Sequence, residues 1–338
     1  MGKNGDAIRW GSLSTAKIAR NAVVPAAELV DNSRFTAVAS RDLNKAKAFA
    51  DELNLETAYG SYEELIDDPE IDAIYNALPN SMHLEWTVKA AEAGKHVLCE
   101  KPIADDEAQA REMAAACERN GVLLVEAFMY RFNPRLARIG ELLAEGRIGD
   151  PMFIFASFAF NLRGSGNWRL GTNLAGGALA DVGCYCVNVS RTLFGEPHGV
   201  YSRLAIDREL GVDMSGLAIL DFSGNRRAVI DFSFETGGRQ RVEIVGSTGS
   251  LVIPRCFLPV PGNPMPIEVN TASGSSVEEM PFANSYAHQL ESFSNTVLHG
   301  TPAIVTPEDS IANTRVIDAI KESSAVARIV GIQPQVGA

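Results

Sequence analysis

The sequence is poor in the residue patterns that build disulfide scaffolds and metal sites. It has 338 residues but only five cysteines, an odd number at irregular spacing and without a Cys-x-x-Cys pair. The five histidines do not complete a zinc-binding set at the usual spacings. These absences argue against a disulfide-stapled secreted fold and predict no metal. They favour reduced thiols, as in a cytoplasmic protein.

Positive charge and long apolar runs are also scarce. The chain has 30 Lys and Arg against 42 Asp and Glu, a formal net charge of −12. Nucleic-acid binding depends on clustered basic residues, so this balance argues against such a partner. No apolar run approaches the roughly 18 residues that span a bilayer, and the first residues lack an apolar signal core. We therefore expect a cytoplasmic protein with a small-molecule ligand and no membrane partner.

The hydrophobic content of 46% is nevertheless enough for a large core and for two domains. Strand and helix patterns alternate over residues 1–132, which is typical of a doubly wound parallel sheet, the α/β Rossmann fold. From Pro151 onward, alternating apolar and polar positions with hairpin-sized breaks at 223–225 and 236–238 predict antiparallel strands. We predict a Rossmann domain over 1–132 and an α+β domain with an open antiparallel sheet over 133–338.

Three details of the second domain follow from the same patterns. The open sheet predicts a homodimer or homotetramer that forms through its uncovered face. The segment 254–266 is rich in proline and is predicted to be a surface loop. The terminal helix, which begins near Thr306, is expected to pack back on one of the two domains, with the first domain as one possibility.

The first strand-turn-helix unit has the position of a dinucleotide fingerprint but lacks its glycines. Ser14, Ala16 and Ala19 occupy the three glycine positions. Small side chains still let a pyrophosphate approach the backbone, and the amides of a helix N-terminus still attract an anion. We assign Ser14, Thr15 and Ala16 to the cofactor, with an ordinary strand-helix unit as the alternative.

The second strand ends in Ser40-Arg41, where NAD-binding folds usually carry an acidic residue. A hydroxyl and a guanidinium suit a 2′-phosphate, because arginine forms charge-assisted hydrogen bonds to phosphate and stacks on adenine. Ser40 and Arg41 therefore predict NADP(H) as the cofactor, with NAD(H) possible. The alternative interpretation is that Arg41 is a solvated loop residue.

A buried strand at His96–Cys99 delivers Glu100, Lys101 and Pro102 to the carboxyl edge of the predicted sheet. Ligands of open α/β sheets bind at this edge, and Pro102 can fix the backbone there as a cis peptide. A surface Glu-Lys pair is the alternative.

Two further residues follow the preceding strand and are assigned to the cofactor side. Asn80 can bond the ribose or the nicotinamide, or cap a helix. His83 is expected to make a local structural contact there rather than to catalyse.

Two further segments carry candidate ligand contacts. Tyr130 and Arg131, within an aromatic segment after the strand at 122–125, are candidates to face the ligand. In the second domain Trp168 and Arg169 precede a glycine-containing stretch that opens a helix. On that helix the polar residues recur at helical spacing and share one face, either as ligand contacts or as buried structural groups. These polar residues are Asp181, Tyr185 and Asn188.

Taken together, these motifs resemble the Gfo/Idh/MocA family of dinucleotide-dependent oxidoreductases over nearly the whole chain. Within that family the chain is most similar to the NADP-dependent D-xylose dehydrogenase and trans-dihydrodiol dehydrogenase group. The resemblance rests on segments 10–16, 39–42, 100–102, 126–132, 168–170 and 181–185.

The resemblance implies hydride exchange between a nicotinamide and a carbinol of a sugar, polyol or vicinal diol. It implies Lys101 as the catalytic lysine and Tyr185 as the acid/base residue, with Glu100 and Asp181 orienting them. The substrate pocket is then expected to contain Tyr130, Arg131, Trp168, Arg169 and Asp181. The alternative from a different class is an NADP-binding sensor or regulatory protein without turnover, because a fold does not by itself imply catalysis.

Overall fold

The computed structural model describes residues 7–162 and 167–333, and the chain forms two compact units. The first unit contains the chain up to Phe132 together with Asn284–Ile311. The second contains Asn133–Ala283 and the chain from Ala312 onward. Within the described ranges, no helix is both long enough and apolar enough to cross a membrane.

The first unit is built on a six-stranded parallel sheet with the spatial order β3-β2-β1-β4-β5-β6. Its strands are β1 (Ile8–Leu13), β2 (Ser33–Ala39), β3 (Thr57–Tyr59), β4 (Ala73–Asn76), β5 (His96–Cys99) and β6 (Leu124–Glu126). The order reverses between β1 and β4, which makes that position the topological switch point of a Rossmann sheet. The predicted doubly wound parallel sheet is confirmed.

Helices occur in both units and are numbered in chain order. The α-helices are α1 (Val24–Ala27), α2 (Leu43–Leu53), α3 (Tyr62–Ile66), α4 (His83–Glu92), α5 (Glu107–Arg119), α6 (Pro134–Ala144), α7 (Cys184–Phe194), α8 (Ser285–His299) and α9 (Pro307–Val326). Two π-helical segments, Ala19–Val23 and Leu179–Gly183, lead directly into α1 and α7. Short 3₁₀ turns lie at Asn80–Met82, Met129–Phe132, Trp168–Leu170 and Thr172–Leu174.

Side-chain caps determine where several helices begin. The Asp42 carboxylate accepts hydrogen bonds from the first amides of α2, and Ser61 does the same for α3. Asp106 caps α5, where its side chain accepts a hydrogen bond from the Gln109 amide. Asn133 caps α6, and Pro134 occupies the first helical position, where proline loses no hydrogen bond.

Helices cover the first sheet on both faces. On one face Trp10 of β1 packs against Phe35 of β2 and against Phe293 of α8, with ring centroids 5.7 and 4.6 Å apart. On the other face Tyr62 of α3 and Trp86 of α4 pack edge to face at 4.8 Å. The strands are therefore buried on both sides, which explains their short and continuously apolar sequences.

The second unit is built on a nine-stranded sheet in the order β14-β13-β12-β11-β7-β10-β9-β8-β15. Its strands are β7 (Pro151–Ala159), β8 (Gly199–Ile206), β9 (Asp213–Phe222), β10 (Arg226–Ser233), β11 (Arg239–Gly246), β12 (Gly249–Pro254), β13 (Met265–Thr271), β14 (Gly274–Met280) and β15 (Val330–Gly331). All neighbouring pairs are antiparallel except β7 and β10. The predicted α+β class with a mostly antiparallel sheet is confirmed.

The prediction of a hairpin at residues 236–238 is wrong. The strands β10 and β11 are not neighbours, because β7 lies between them and pairs with both. Ile154 of β7 stands between Ala228 of β10 and Ile244 of β11. The two strands still run antiparallel to each other. The turn residues therefore predict correctly that the chain reverses, but they do not predict the strand inserted between β10 and β11. The hairpin predicted at 223–225 does join β9 to β10.

One face of the second sheet carries helices. Phe158 of β7 packs on Tyr185 of α7, and the Ser202 hydroxyl of β8 donates to the Ile320 carbonyl of α9 at 2.6 Å. On the opposite face Phe155 and Leu217 are each 45% exposed. The sheet thus presents large apolar side chains to solvent on the face without these helices.

Candidate active site

The parallel strands of the first unit have their carboxyl ends at the same edge of the sheet. Leu13 of β1 stands beside Ala39 of β2 and Asn76 of β4, and Asn76 stands beside Cys99 of β5. The residues that follow these strands therefore emerge at a single sheet edge, next to the switch point. Ligands of open parallel sheets bind at this edge.

Ser14 forms the turn after β1 in place of the usual glycine. Its φ of 87° is a backbone conformation that glycine adopts most readily. Its amide donates to the Ala39 carbonyl at 2.9 Å, and its hydroxyl donates to the Ala77 carbonyl at 3.0 Å. Thr15 and Ala16 follow with half-buried, small side chains before the helix begins. This turn fits a dinucleotide phosphate, because little side-chain bulk covers its backbone.

The segment after β2 carries the guanidinium of Arg41, and the nearby carboxylate of Asp42 is used to cap a helix. Ser40 accepts a hydrogen bond from the Asp42 amide at 3.2 Å, and the Asp42 carboxylate caps α2. Arg41 is exposed. It lies close enough to the Tyr62 phenol to oppose the rise that burial causes in the pKa of Tyr62. The positive charge of Arg41 at this corner suits a 2′-phosphate better than two ribose hydroxyls.

Glu100 and Lys101 lie in the loop after β5. The Tyr75 hydroxyl donates to Glu100 Oε1 at 2.6 Å, and the Lys101 amide donates to Glu100 Oε2 at 3.3 Å. The Glu100 amide itself donates to the Asn76 carbonyl at 3.0 Å. The Lys101-Pro102 peptide is cis. Several hydrogen bonds therefore fix the backbone from which the Lys101 side chain departs.

Tyr75 and Tyr286 are two neighbours of Glu100 that the sequence did not indicate. Tyr75 is fully buried in β4 and supplies the short bond to the carboxylate. Burial, together with the negative charge of Glu100, raises the pKa of Tyr286 at the start of α8. Both read as ordinary aromatic core residues in the sequence, and only the fold brings them to the loop.

Asn80 and His83 follow β4 in the chain, and their assignment to the cofactor stays a prediction. Asn80 is buried and begins the 3₁₀ turn that precedes α4. His83 is fully buried, with Nδ1 at 3.0 Å from the Pro102 carbonyl and Nε2 at 2.9 Å from the Leu78 carbonyl. Burial lowers the pKa of His83 to about 4, so the ring is neutral near pH 7.

Tyr130 and Arg131 make contacts inside the first unit. Tyr130 is 1% exposed and packs edge to face on Phe128 at 6.2 Å. Arg131 forms an ion pair with Asp309 at 2.8 Å and also donates to the Ile304 carbonyl. These contacts give both residues a packing role, and their place beside the substrate stays a prediction.

The second unit brings three of the predicted residues together. Arg169 Nε donates to Asp181 Oδ2 at 2.8 Å, and the Asp181 side chain is only 8% exposed. The Arg169 guanidinium also lies over the Trp168 ring, 4.7 Å from its centroid. Trp168, Arg169 and Asp181 thus form one cluster at the N-terminal end of the helix that carries Tyr185.

Two glycines and an aspartate shape the start of that helix. A Cβ on Gly176 would lie 2.2 Å from the Arg169 carbonyl oxygen, and one on Gly177 would lie 2.2 Å from Asp213 Oδ1. Asp213 Oδ2 accepts the Leu179 amide at 2.6 Å, and burial raises the pKa of this carboxyl. Asp213 therefore caps the helix from β9, a role that no local sequence signal indicates.

Tyr185 lies in an aromatic cluster. It is 5% exposed, and its ring centroid is 5.4 Å from that of Phe158 and 5.3 Å from that of Phe257. Phe257 is fully buried, although residues 254–266 were predicted to be a surface loop, and Met265 already belongs to β13. That prediction is wrong for these residues. The prolines indicate a loop, and the local sequence does not show that Phe257 packs in the core.

Arg135 at the start of α6 holds the segment that carries Phe257. The arginine is 3% exposed, and it donates to the carbonyls of Pro254, Arg255 and Cys256 at 3.0, 2.7 and 3.2 Å. Burial lowers the pKa of Arg135, which nonetheless stays charged at neutral pH. The charge is satisfied by backbone carbonyls rather than by a carboxylate, so it anchors a loop instead of forming an ion pair.

Among residues 7–162 and 167–333, no group of three His, Cys, Asp or Glu side chains is placed to hold a metal ion.

Comparison with known proteins shows the family to which the chain belongs. The model of the GFO_IDH_MocA oxidoreductase family, with an NAD-binding Rossmann fold, matches residues 9–128, and the family's C-terminal domain matches residues 136–252. The D-xylose 1-dehydrogenase (NADP(+)) 2 of Haloferax volcanii is 38% identical over 319 residues, which cover 93% of this chain and 97% of that protein. The trans-1,2-dihydrobenzene-1,2-diol dehydrogenase of Xenopus laevis is 40% identical over 252 residues, 73% of this chain and 76% of that protein.

Solved structures agree with these matches. A 3-ketoreductase from Actinomadura kijaniata, crystallised with NADP and TDP-benzene, superimposes with a TM-score of 0.90 at 31% identity, over 94% of this chain and 98% of that one. The chain belongs to the Gfo/Idh/MocA family of oxidoreductases.

Proposed function

We propose that this protein is an NADP(H)-dependent dehydrogenase or reductase that acts on a carbinol of a sugar, polyol or vicinal diol. The observation that carries the proposal is the placement of Lys101 at the switch-point edge, on a loop fixed through Glu100 and Tyr75. NADP(H) is supported by Arg41 and by the NADP-dependent relatives. Sugar or diol substrates are supported by the names of those relatives.

In the proposed reaction the cofactor, when bound, exchanges a hydride at nicotinamide C4. Ser14, Thr15, Ala16, Ser40 and Arg41 would hold its phosphate and ribose groups, and Asn80 and Glu100 would contact its ribose or nicotinamide. The proposal is supported by the position of these residues after the ends of paired parallel strands, the edge at which open parallel sheets bind ligands.

Tyr185 is proposed to take the hydroxyl proton from the substrate carbinol. A tyrosine has a pKa near 10 and is a poor base at neutral pH unless a cation stabilises its phenolate. Lys101 supplies that cation and a hydrogen bond to the reacting oxygen. Asp181 forms an ion pair with Arg169 and is proposed to orient Tyr185 from the same helix. Tyr130, Arg131, Trp168 and Arg169 complete the proposed substrate contacts.

The alternative of a non-catalytic NADP-binding sensor does not require the lysine and tyrosine. The three relatives named for comparison are enzymes, and none of them is a sensor. Tight NADP(H) binding without turnover of any carbinol would favour the sensor.

The direct test is a screen of D-xylose, other aldoses, inositols and vicinal diols for a change in the reduced-nicotinamide absorbance. We expect Lys101→Met and Tyr185→Phe each to lower kcat by roughly 10²-fold or more, because acid/base catalysis is lost. The Kd for NADP(H) should stay nearly unchanged. Lys45→Met and Tyr201→Phe are matched controls that should retain the native kcat. A native kcat in Tyr185→Phe would remove the proton-transfer role from this tyrosine.

We also propose that a second copy of the chain covers the exposed face of the nine-stranded sheet. Cross-strand pairing aligns a row of apolar side chains on that face, namely Tyr201, Ile219, Val229 and Phe155. Phe153 stacks beside Phe155 with centroids 6.4 Å apart. Ion pairs border the row and place charges of both signs at its edge, where they can pair with those of a second copy. A homodimer or homotetramer measured by light scattering would support this assignment.

We place the protein in the cytoplasm, because all five cysteines are buried and none of them forms a disulfide. Cell fractionation that finds the protein outside the cytoplasm would contradict this proposal.

A further inference from the structure

The imidazole of His83 touches two functional loops at once. Its Nδ1 lies 3.0 Å from the carbonyl oxygen of Pro102, the residue after Lys101. Its Nε2 lies 2.9 Å from the carbonyl oxygen of Leu78, in the loop that leads to Asn80. A single ring therefore spans the loop of the proposed catalytic lysine and the loop of a proposed cofactor contact.

The backbone around His83 is held in place, so the ring has a fixed position. The side-chain amide of Asn76, at the end of β4, donates to the His83 carbonyl at 3.3 Å and to Thr87 Oγ1 at 3.2 Å. On the opposite side, the Ile103 amide donates to Glu126 Oε1 at 2.9 Å. The His83 ring thus bridges two anchored segments, and the Pro102 carbonyl cannot move freely away from it.

The protonation of the ring limits what it can donate. Carbonyl oxygens only accept hydrogen bonds, and a neutral imidazole carries a single N–H. Burial lowers the pKa of His83 to about 4, with the Lys101 charge acting in the same direction, so one proton is shared between two acceptors at neutral pH. Hydrogen bonds to the backbone of Leu78, Pro102 and Ile103 oppose this shift, so carbonyls on both sides of the ring compete for the proton.

We propose that His83 is a positioning residue for the reaction, whose Nδ1–H bond to the Pro102 carbonyl sets the backbone from which Lys101 reaches the reacting oxygen. The inference rests on the proposed catalytic role of Lys101. It differs from the expectation that His83 contacts the cofactor, because the fully buried ring acts through the loop.

Two variants separate the two contacts. In His83→Asn the side-chain amide nitrogen takes the place of Nδ1 and keeps a donor toward Pro102. In His83→Gln the amide nitrogen takes the place of Nε2 and keeps a donor only toward Leu78. Both variants replace the ring by a side-chain amide and differ in the position of the retained donor.

The measurement is kcat and KM for D-xylose, or for the best substrate of the screen, with NADP(H) affinity and Tm determined for each variant. We expect His83→Gln to lose roughly 10- to 100-fold in kcat, the size of a small misplacement of a catalytic group, with little change in NADP(H) affinity. His83→Asn should recover most of that loss at a similar Tm. Equal losses in both variants, or a larger loss in His83→Asn, overturn the assignment.

His96→Asn and His96→Gln are the matched controls. His96 lies at the other end of β5, where Nδ1 accepts the Leu123 amide at 2.9 Å, and it touches neither loop by a described hydrogen bond. Both controls should keep the native kcat. A general effect of removing a hydrogen-bonded histidine from the first unit would lower kcat in the controls as well, and that result would overturn the proposal.

A measurement on the native protein keeps the proposal testable if the variants fail to fold. The ¹⁵N chemical shifts of the His83 ring should show the proton on Nδ1, and a proton on Nε2 alone would overturn it. This result does not depend on turnover. A native enzyme that turns over no carbinol would contradict the proposed function, whereas the tautomer would still test the contact.

Discussion

At the residue scale, two residues occupy positions that usually carry other residue types. Ser14 takes a positive φ in place of a glycine and uses its hydroxyl to tie β1 to β4. Arg41 stands where NAD-binding folds usually have a carboxylate, while the nearby Asp42 is committed to capping α2. We therefore propose that the turn binds a dinucleotide without the usual glycines, and that the missing acid shifts the cofactor preference toward NADP(H).

The Arg41→Ala variant tests that preference directly. Loss of charge-assisted hydrogen bonds to the 2′-phosphate should raise the Kd for NADP(H) by roughly 10- to 100-fold. The Kd for NAD(H) should change little, since NAD(H) lacks this phosphate. Both can be measured by fluorescence titration of the reduced cofactors.

Arg34→Ala is the matched control for this prediction, because Arg34 is an exposed arginine of β2 that pairs with Glu56. It should leave both affinities unchanged. Equal native affinities for the two cofactors would contradict the role given to Arg41.

At the element scale, the helix that carries Tyr185 is positioned from outside its own sequence. Asp213 of β9 caps the amide of Leu179, and Gly177 leaves room for that carboxylate. Phe257 of the proline-rich segment packs on the same tyrosine, and Arg135 of α6 holds that segment through its backbone carbonyls. The acid/base candidate is therefore held by groups from several strands and helices, which favours one ring orientation.

Asp213→Ala tests whether the cap positions Tyr185. Loss of the cap leaves buried amides without an acceptor and should lower the free energy of unfolding by about 1–3 kcal/mol. We also expect kcat to fall by roughly 10-fold, because the helix start can shift and carry Tyr185 with it. Denaturant unfolding and steady-state kinetics measure the two effects.

Asp106→Ala provides the comparison, because Asp106 caps α5 of the first unit and lies on no element that carries a proposed catalytic residue. It should lower stability by a similar amount without changing kcat. A native kcat in Asp213→Ala would show that the cap serves stability alone.

At the scale of the whole molecule, the sequence predicts most of the fold but only part of the site. Alternating strands and helices and the carboxyl ends of β1, β2, β4 and β5 were correctly predicted, because these signals are local. The insertion of β7 between β10 and β11 was not, since a short loop shows that the chain reverses but not which strand pairs where. Asp213, Tyr75 and Phe257 were missed for the same reason, because their roles depend on distant contacts.

The exposed face of the nine-stranded sheet yields the last prediction. Burying Phe155, which is 45% exposed, and its row of apolar neighbours against a second copy should stabilise an oligomer through the hydrophobic effect. A charge at the centre of such an interface must lose its hydration on association, which costs several kcal/mol, so Phe155→Lys should convert the oligomer to monomers at micromolar concentration. Leu29→Lys, at a residue of the first unit that is 64% exposed, is the matched control and should leave the oligomer intact. Size-exclusion chromatography with light scattering distinguishes these outcomes. A native protein that is monomeric, or a Phe155→Lys variant with the native mass, would show that this face does not bind a second copy.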